Sequence, residues 1–193
     1  RGIIKGPWIH QNIIDTLLNI KKNKKITGGN KVHESDGFCA ALPFFLYSRS
    51  FKNLKNIISF VCSSKISIKY GLAKLQILNL ALNGKKNPIN FFVQKYKDNT
   101  YFKEVVIGIK KVKRLKSKPH NFVVKKLGIT CRYPGTFNSA VHAIIKSKNY
   151  KQAILTTIKA GGCNCSRSNF VGSYFAALDG KNAIPNSWIA QLF

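Results

Sequence analysis

Apolar residues recur at helical spacing along most of the chain, whereas alternation with a period of two residues between tight turns is hard to find. Helical spacing of this kind predicts amphipathic helices, and alternation would have predicted strands. Pro7 suits the first turn of a helix that carries an apolar stripe, formed by Ile9, Ile13, Ile14, Leu17 and Leu18. The pattern therefore predicts an all-α protein, whose first helix ends in the basic segment 21–25.

The second predicted helix follows Ser35, a residue type that is common at N-caps. Residues 37–47 are almost wholly apolar, which predicts a helix buried on all sides. Pro43 lies within this segment and should kink the helix or restart it. Further apolar patterns predict a third helix over about 51–61 and a fourth over 68–83, which Gly84 ends.

The signals for helix ends continue to the C-terminus. Asn87-Pro88 predicts the start of a short helix, and residues 107–118 carry much of the positive charge. Thr136 and Ser166 are each expected to cap a helix, and Gly161-Gly162 is expected to end the helix over 150–160. Pro185 is predicted to start a last helix with inward-facing apolar residues, which are Trp188, Ile189 and Leu192.

The chain is strongly basic, with 33 Lys and Arg against 6 Asp and Glu and a formal net charge of +27. Charge of this size makes the chain a candidate for binding nucleic acid or another polyanion. The lysines are spread along the chain and arginine is scarce, so we expect nonspecific attraction rather than base recognition. No apolar run reaches the roughly 20 residues that span a bilayer, and no signal peptide is evident, so we expect a cytoplasmic protein that does not bind membranes.

Five cysteines are scattered along the chain, and this odd number is unlike a disulfide framework. We therefore expect reduced thiols. The first residue is Arg1 rather than Met, which leads us to expect that a segment is missing from the front. The segment with the clearest chemistry is Ala160-Gly161-Gly162-Cys163-Asn164-Cys165-Ser166-Arg167, in which two thiols one residue apart follow a glycine turn.

This segment and its neighbours resemble the C-terminal end of the ADP-ribosylglycohydrolase family, in its J-type crystallin and selenoprotein J branch. The motifs that carry the likeness are Arg132-Tyr133-Pro134-Gly135-Thr136-Phe137, the Gly-Gly-Cys-Asn-Cys-Ser-Arg loop and Ala183-Ile184-Pro185-Asn186-Ser187-Trp188. Upstream, Glu34-Ser35-Asp36-Gly37 followed by Ala40-Ala41-Leu42-Pro43 is similar to the family's Asp/Asn-Gly segment. The resemblance implies an all-α orthogonal multi-helix bundle, of which residues 1–193 are a single, incomplete C-terminal domain.

Active members of that family hydrolyse ADP-ribose linkages with two magnesium ions, held by a Gly-Gly-Asp-x-Asp-Thr loop. By position, Cys163, Cys165 and Ser166 stand where that loop binds metal. The resemblance also implies a cleft for an ADP-ribose-like small molecule, with candidate residues Ser35, Asp36, Gly37, Tyr133, Gly135, Phe137, Gly161, Gly162, Asn164 and Arg167. Magnesium prefers oxygen ligands and thiols suit softer metals, so we expect no cofactor unless a missing N-terminal segment supplies carboxylates.

Three interpretations of the Cys-x-Cys pair stay open. The two residues pack a tight loop, or they form a redox site with thiols activated by a helix N-terminus and Arg167, or they bind a soft metal with two further ligands. His142 is expected to be a hydrogen-bonded core residue, and His10, His33 and His120 have no recognisable partner.

For the whole chain we expect a family member without magnesium-dependent hydrolase activity that retains an ADP-ribose-like cleft or a thiol site. The first alternative is a divergent ADP-ribosyl hydrolase whose other metal ligands lie in a missing segment. The second alternative is a basic polyanion-binding module. The sequence leaves the oligomeric state and the catalytic residues undetermined.

Overall fold

The computed structural model describes residues 9–192, and within that range it contains eleven α-helices, one short 3-10 helix and no strand. A single isolated bridge joins Gly29 and Cys62. The all-α prediction is confirmed. The first-turn role expected for Pro7 lies outside the described residues. No helix in the described part of the chain is long and apolar enough to cross a membrane.

The chain forms two compact units, one ending at Gly71 and the other beginning at Leu72. The single domain expected over residues 1–193 stays a prediction. The helices of the first unit are α1 (Gln11–Lys21), α2 (Asp36–Ser48) and α3 (Leu54–Val61), and α4 (Lys65–Leu82) contains the boundary. Within this unit α3 packs against both α1 and α2.

The apolar stripe of α1 does not face the core. All five of its residues are exposed, Leu17 by 57% of its surface, whereas the buried residues of the helix are Asn12 and Thr16. Thr16 donates a hydrogen bond to the Asn12 carbonyl (2.6 Å) and lies 3.2 Å from the Val61 carbonyl, so its burial leaves the hydroxyl satisfied. The polar face of α1 is therefore the one that packs.

Helix α2 differs from the prediction in two respects. It runs through Pro43 without a break, although proline removes one hydrogen bond from the helix. It is also buried on one side only, because Phe38, Ala41 and Phe45 are buried while Tyr47 is 95% exposed. An apolar sequence thus forms a helix at the surface rather than one enclosed by protein.

The second unit contains the remaining helices. They are α5 (Pro88–Lys95), α6 (Lys103–Arg114), α7 (His120–Leu127), α8 (Gly135–Lys146), α9 (Tyr150–Lys159), α10 (Asn164–Asp179) and α11 (Asn186–Ile189), with a 3-10 turn over Lys181–Ala183. The sequence analysis predicted neither α6 nor α7. Most other helices begin and end within a few residues of their predicted bounds, which is the usual uncertainty at helix ends.

Helix α8 lies at the centre of this unit. Every residue from Gly135 to Ile144 is buried, and the helix packs against α6, α7, α9 and α10. Thr136 lies inside α8 rather than at its cap, a position that Pro134 takes. The last helix is the opposite case: α11 has four residues and none is buried, and Leu192, expected to face inward, is 77% exposed.

Candidate functional site

The loop between α9 and α10 makes its turn with two glycines. Gly161 and Gly162 have φ angles of 72° and 69°, in the left-handed region that side chains disfavour. A Cβ at Gly162 would also clash with the Ile129 carbonyl oxygen. The backbone N–H of Cys163 donates to that same carbonyl at 2.7 Å. The loop is therefore fixed to the segment that precedes α8.

The thiol of Cys163 lies at the start of α10. Cys163 is the N-cap residue, and its Sγ is within hydrogen-bonding distance of the Ser166 Oγ, at 3.2 Å. Ser166 was predicted to be the cap itself, but it is the third residue of the helix. The helix begins earlier than predicted because the glycine turn is completed before Cys163.

The side chain of Arg167 is buried beneath the loop and donates hydrogen bonds to it. Its side chain has no exposed surface, and Nη2 donates to the Gly161 carbonyl and to Asn164 Oδ1, the latter at 2.8 Å. Burial lowers the pKa of the guanidinium, and the nearby Cys163 opposes this shift. The guanidinium is thus engaged by the loop's own acceptors and does not face open solvent.

The two thiols are in different environments. Cys165 is exposed, Cys163 is half-buried, and neither forms a disulfide. Among the residues that the structure describes, neither thiol belongs to a group of three His, Cys, Asp or Glu side chains close enough to hold one metal ion. A soft-metal site would need such a group.

The aromatic candidates lie in the core of the second unit. Phe137 is fully buried and stacks on Phe170 with ring centroids 5.9 Å apart, and Tyr133 is also buried. The Lys74 ammonium lies 5.1 Å from the centroid of Tyr133 and 5.4 Å from that of Phe170, a cation–π geometry. In this arrangement the rings contact protein rather than an open cleft. Gly135 packs against the Leu127 carbonyl in the same region.

A buried histidine pair was missed by the sequence analysis. The Nδ1 atoms of His120 and His142 are 2.9 Å apart, and His142 Nε2 lies 3.0 Å from the Leu115 carbonyl oxygen. If His142 donates from Nε2, its neutral ring must accept at Nδ1, so His120 donates there and keeps a bare Nε2. That Nε2 is buried and makes no hydrogen bond among the described residues. The core role expected for His142 fits this geometry.

Burial lowers the pKa of His120 to about 3, with the neighbouring His142, Arg167 and Lys146 as smaller causes. The pKa of His142 is also lowered, chiefly by burial. Both rings are therefore neutral at neutral pH. No local signal could reveal this pair, because 22 residues separate its members in the sequence.

The candidates Ser35, Asp36 and Gly37 lie in the first unit, where α2 begins. Asp36 Oδ2 accepts from Asn12 Nδ2 at 3.0 Å and lies 2.9 Å from His10 Nδ1. His10 Nε2 contacts the Glu34 carboxylate, so His10, expected to lack a partner, joins two acids. Gly37 packs directly on Ile58, which leaves no room for a side chain.

In residues 9–192 the protein is all-α, and its candidate residues Cys163, Asn164 and Arg167 lie at the glycine turn that leads into α10. The model of the ADP-ribosylglycohydrolase family matches residues 37–193. Because this match covers most of the chain, the protein belongs to the ADP-ribosylglycohydrolase family.

Two relatives are crystallins from Tripedalia cystophora. Crystallin J1A is 26% identical over 193 aligned residues, which cover 97% of this chain and 58% of the relative. Crystallin J1B is 22% identical over the same shares of both chains. The chain therefore spans a little over half the length of the relatives that it matches.

Proposed function

We propose that this chain is a J-crystallin or selenoprotein J type member of the ADP-ribosylglycohydrolase family that lacks magnesium-dependent hydrolase activity. The observation that carries the proposal is the self-contained loop before α10. In this loop Cys163 pairs with Ser166, and the Arg167 guanidinium occupies the interior. The loop thereby joins α9 to α10 as a structural element.

The donors at this loop do not fit magnesium. Magnesium requires near-octahedral coordination by oxygen, from carboxylates above all, and the loop offers the thiols of Cys163 and Cys165 and one hydroxyl. The hydroxyl is already paired with the Cys163 thiol. A buried guanidinium beside these groups adds positive charge, which opposes the binding of a cation.

Carboxylates are scarce in the rest of the chain as well. The sequence has six in 193 residues, and Asp98 in the second unit has an exposed side chain 3.8 Å from the Lys97 ammonium. Both relatives carry the name crystallin. These two facts agree with a structural rather than a hydrolytic role.

Calorimetric titration of ADP-ribose, with and without magnesium, tests the proposal. We expect magnesium to leave ADP-ribose binding unchanged and no free ADP-ribose to be released from a modified protein substrate. A triple variant, Cys163→Asp, Cys165→Asp and Ser166→Thr, serves as the comparison because it places oxygen donors at the three loop positions. Binding of ADP-ribose that magnesium strengthens in the unaltered chain would contradict the proposal and favour the divergent hydrolase.

The accessibility of Cys165 favours thiol chemistry as a second candidate function. Its thiol is exposed in the first turn of α10 and is therefore open to reagents in solution. Alkylation rates measured against pH for the unaltered chain and for Cys165→Ser would test it. Thiols that stay unreactive up to about pH 8 would exclude this function.

A further inference from the structure

A groove of about 520 Å³ lies in the second unit, among α5, α6, α8 and α10. We call it the basic groove. It is defined by Lys86, Lys113, Lys116, Ile145, Tyr174 and Leu178. Tyr174 and Leu178 are in the last two turns of α10, roughly 16 to 23 Å along the helix from Cys163 at its other end, given a rise of about 1.5 Å per residue. The groove is therefore separate from the site considered above.

The rim of the groove is cationic. Lys86 precedes α5, Lys113 lies in the last turn of α6 and Lys116 follows that helix. No Asp or Glu is among the described residues that line the groove, and these lysines make no ion pair within residues 9–192. Partial burial and the charge of Lys110 lower the pKa of Lys113.

The floor of the groove is apolar. Ile145 and Leu178 are half-buried, and Tyr174, which also lines the groove, is 6% exposed. Burial, with the nearby charge of Asp179 as a smaller cause, raises the pKa of the Tyr174 hydroxyl. The hydroxyl therefore keeps its proton and is able to donate a hydrogen bond to an acceptor in the groove.

The start of α5 supplies further donors beside the rim. Asn87 precedes the helix without a side-chain capping bond, and the first backbone N–H groups of a helix have no partner within it. Ile89 and Asn90, which carry such groups, also line the groove. The partial positive charge of this helix end adds to that of the three lysines.

From the cationic rim, the apolar floor and the tyrosine donor together, we propose that the basic groove binds a small phosphomonoester that carries an apolar ring. The phosphate lies at Lys113 and Lys116 near the start of α5, and the ring lies on Ile145 and Leu178. This site is independent of the function proposed for the loop before α10.

The probe for this site is 1-naphthyl phosphate, titrated calorimetrically into the whole chain at about 150 mM salt, where weak surface attraction is screened. Inorganic phosphate and 1-naphthol are the comparison ligands. We expect 1-naphthyl phosphate to bind at least about tenfold more tightly than either, since it alone uses both rim and floor. Equal affinity for inorganic phosphate would overturn the proposal, because the floor would then contribute nothing.

Two double variants locate the site. Lys113→Gln with Lys116→Gln should weaken 1-naphthyl phosphate binding by about tenfold or more. Lys125→Gln with Lys126→Gln removes the same charge from exposed lysines in the last turn of α7 and should change the affinity by less than about twofold. Equal weakening in the two double variants would show diffuse charge attraction and overturn the proposal. Circular dichroism of both variants establishes that they are folded.

Discussion

Arg167 is a buried residue whose side chain binds the loop before α10 through hydrogen bonds to Gly161 and Asn164. A buried cation is costly unless hydrogen bonds compensate, and this guanidinium makes no ion pair within the described residues. Its Nη2 atom donates to Gly161 and Asn164, while Nε and Nη1 make no hydrogen bond there. The charge is thus only partly compensated by hydrogen bonds. We therefore expect the volume of the side chain to supply much of its contribution to the free energy of unfolding.

Arg167→Ala should lower the free energy of unfolding by about 3 kcal/mol, because it leaves a cavity and an unpaired Gly161 carbonyl. Arg167→Met should cost about 1–2 kcal/mol less than Arg167→Ala, since it fills most of the same volume although it leaves the same carbonyl unpaired. Urea unfolding of both variants measures the difference. If Met were as costly as Ala, hydrogen bonding rather than packing would dominate at this position.

His120 and His142 make stability depend on pH. The unfolded chain binds protons at these rings below a pH of about 6.5, whereas the folded chain resists protonation because both pKa values are lowered. The stabilisation is therefore present above this pH and is lost as the pH falls. We expect His120 alone to account for a loss of about 2 kcal/mol between pH 7 and pH 5.

Urea unfolding at several pH values checks this expectation. His120→Gln should flatten the dependence on pH, whatever its effect on stability at neutral pH. A loss of stability on acidification that is just as steep in His120→Gln would assign the effect to other groups.

At the scale of elements, α10 begins with a residue that does not cap it. Cys163 occupies the N-cap position and makes no capping hydrogen bond, although Asp, Asn or Ser at such positions accept one from the first turn. The start of α10 is therefore held by the glycine turn, the Cys163–Ile129 backbone bond and Arg167 rather than by a cap.

Cys163→Asp should stabilise the protein by about 0.5–1 kcal/mol, because the carboxylate accepts a hydrogen bond from the first turn and interacts favourably with the helix dipole. Thermal unfolding followed by circular dichroism measures the gain. Cys165→Asp, two residues further on and unable to act as the N-cap, is the matched control. An equal gain in both variants would point to general charge rather than capping.

Helix α1 allows a test of which face packs. Leu17→Gln should change the free energy of unfolding by less than about 0.5 kcal/mol, because Leu17 is exposed. Thr16→Leu should cost at least about 1 kcal/mol, since a larger apolar side chain replaces a buried, hydrogen-bonded hydroxyl. Urea unfolding measures both changes in free energy. A larger loss in Leu17→Gln than in Thr16→Leu would show that the apolar stripe of α1 is the face that packs.

Helices α1 and α10 show how much of the fold could be predicted from the sequence and how much depended on tertiary contacts. Periodicity, glycine stops and Asn87-Pro88 located most helices, because those signals act within a few residues. They did not give the packed face of α1, which depends on Thr16 meeting a carbonyl 45 residues away, nor the pairing of His120 with His142. The loop residues Cys163 to Arg167 were found by motif, but the inward turn of Arg167 is a tertiary property.

At the scale of the molecule, the net charge of +27 sets the behaviour toward polyanions. We expect mixed-sequence DNA and RNA to bind at low salt. The logarithm of the association constant should fall linearly with the logarithm of the salt concentration, and binding should become undetectable by about 0.5 M salt. Fluorescence anisotropy with several unrelated sequences measures this. A sequence preference that persists at high salt would contradict the expectation of nonspecific attraction.

The enclosure of α8 has a consequence for how the second unit opens to solvent. Amide protons exchange slowly where exposure requires a whole cooperative segment to unfold, and quickly where a short end frays. A helix buried from Gly135 to Ile144 and contacted by four others exchanges only when its neighbours separate, whereas α11, with no buried residue, exchanges by local fraying. Deuterium uptake should therefore be slowest along α8, so the least protected and the best protected helices of this unit lie within 60 residues of each other in the chain.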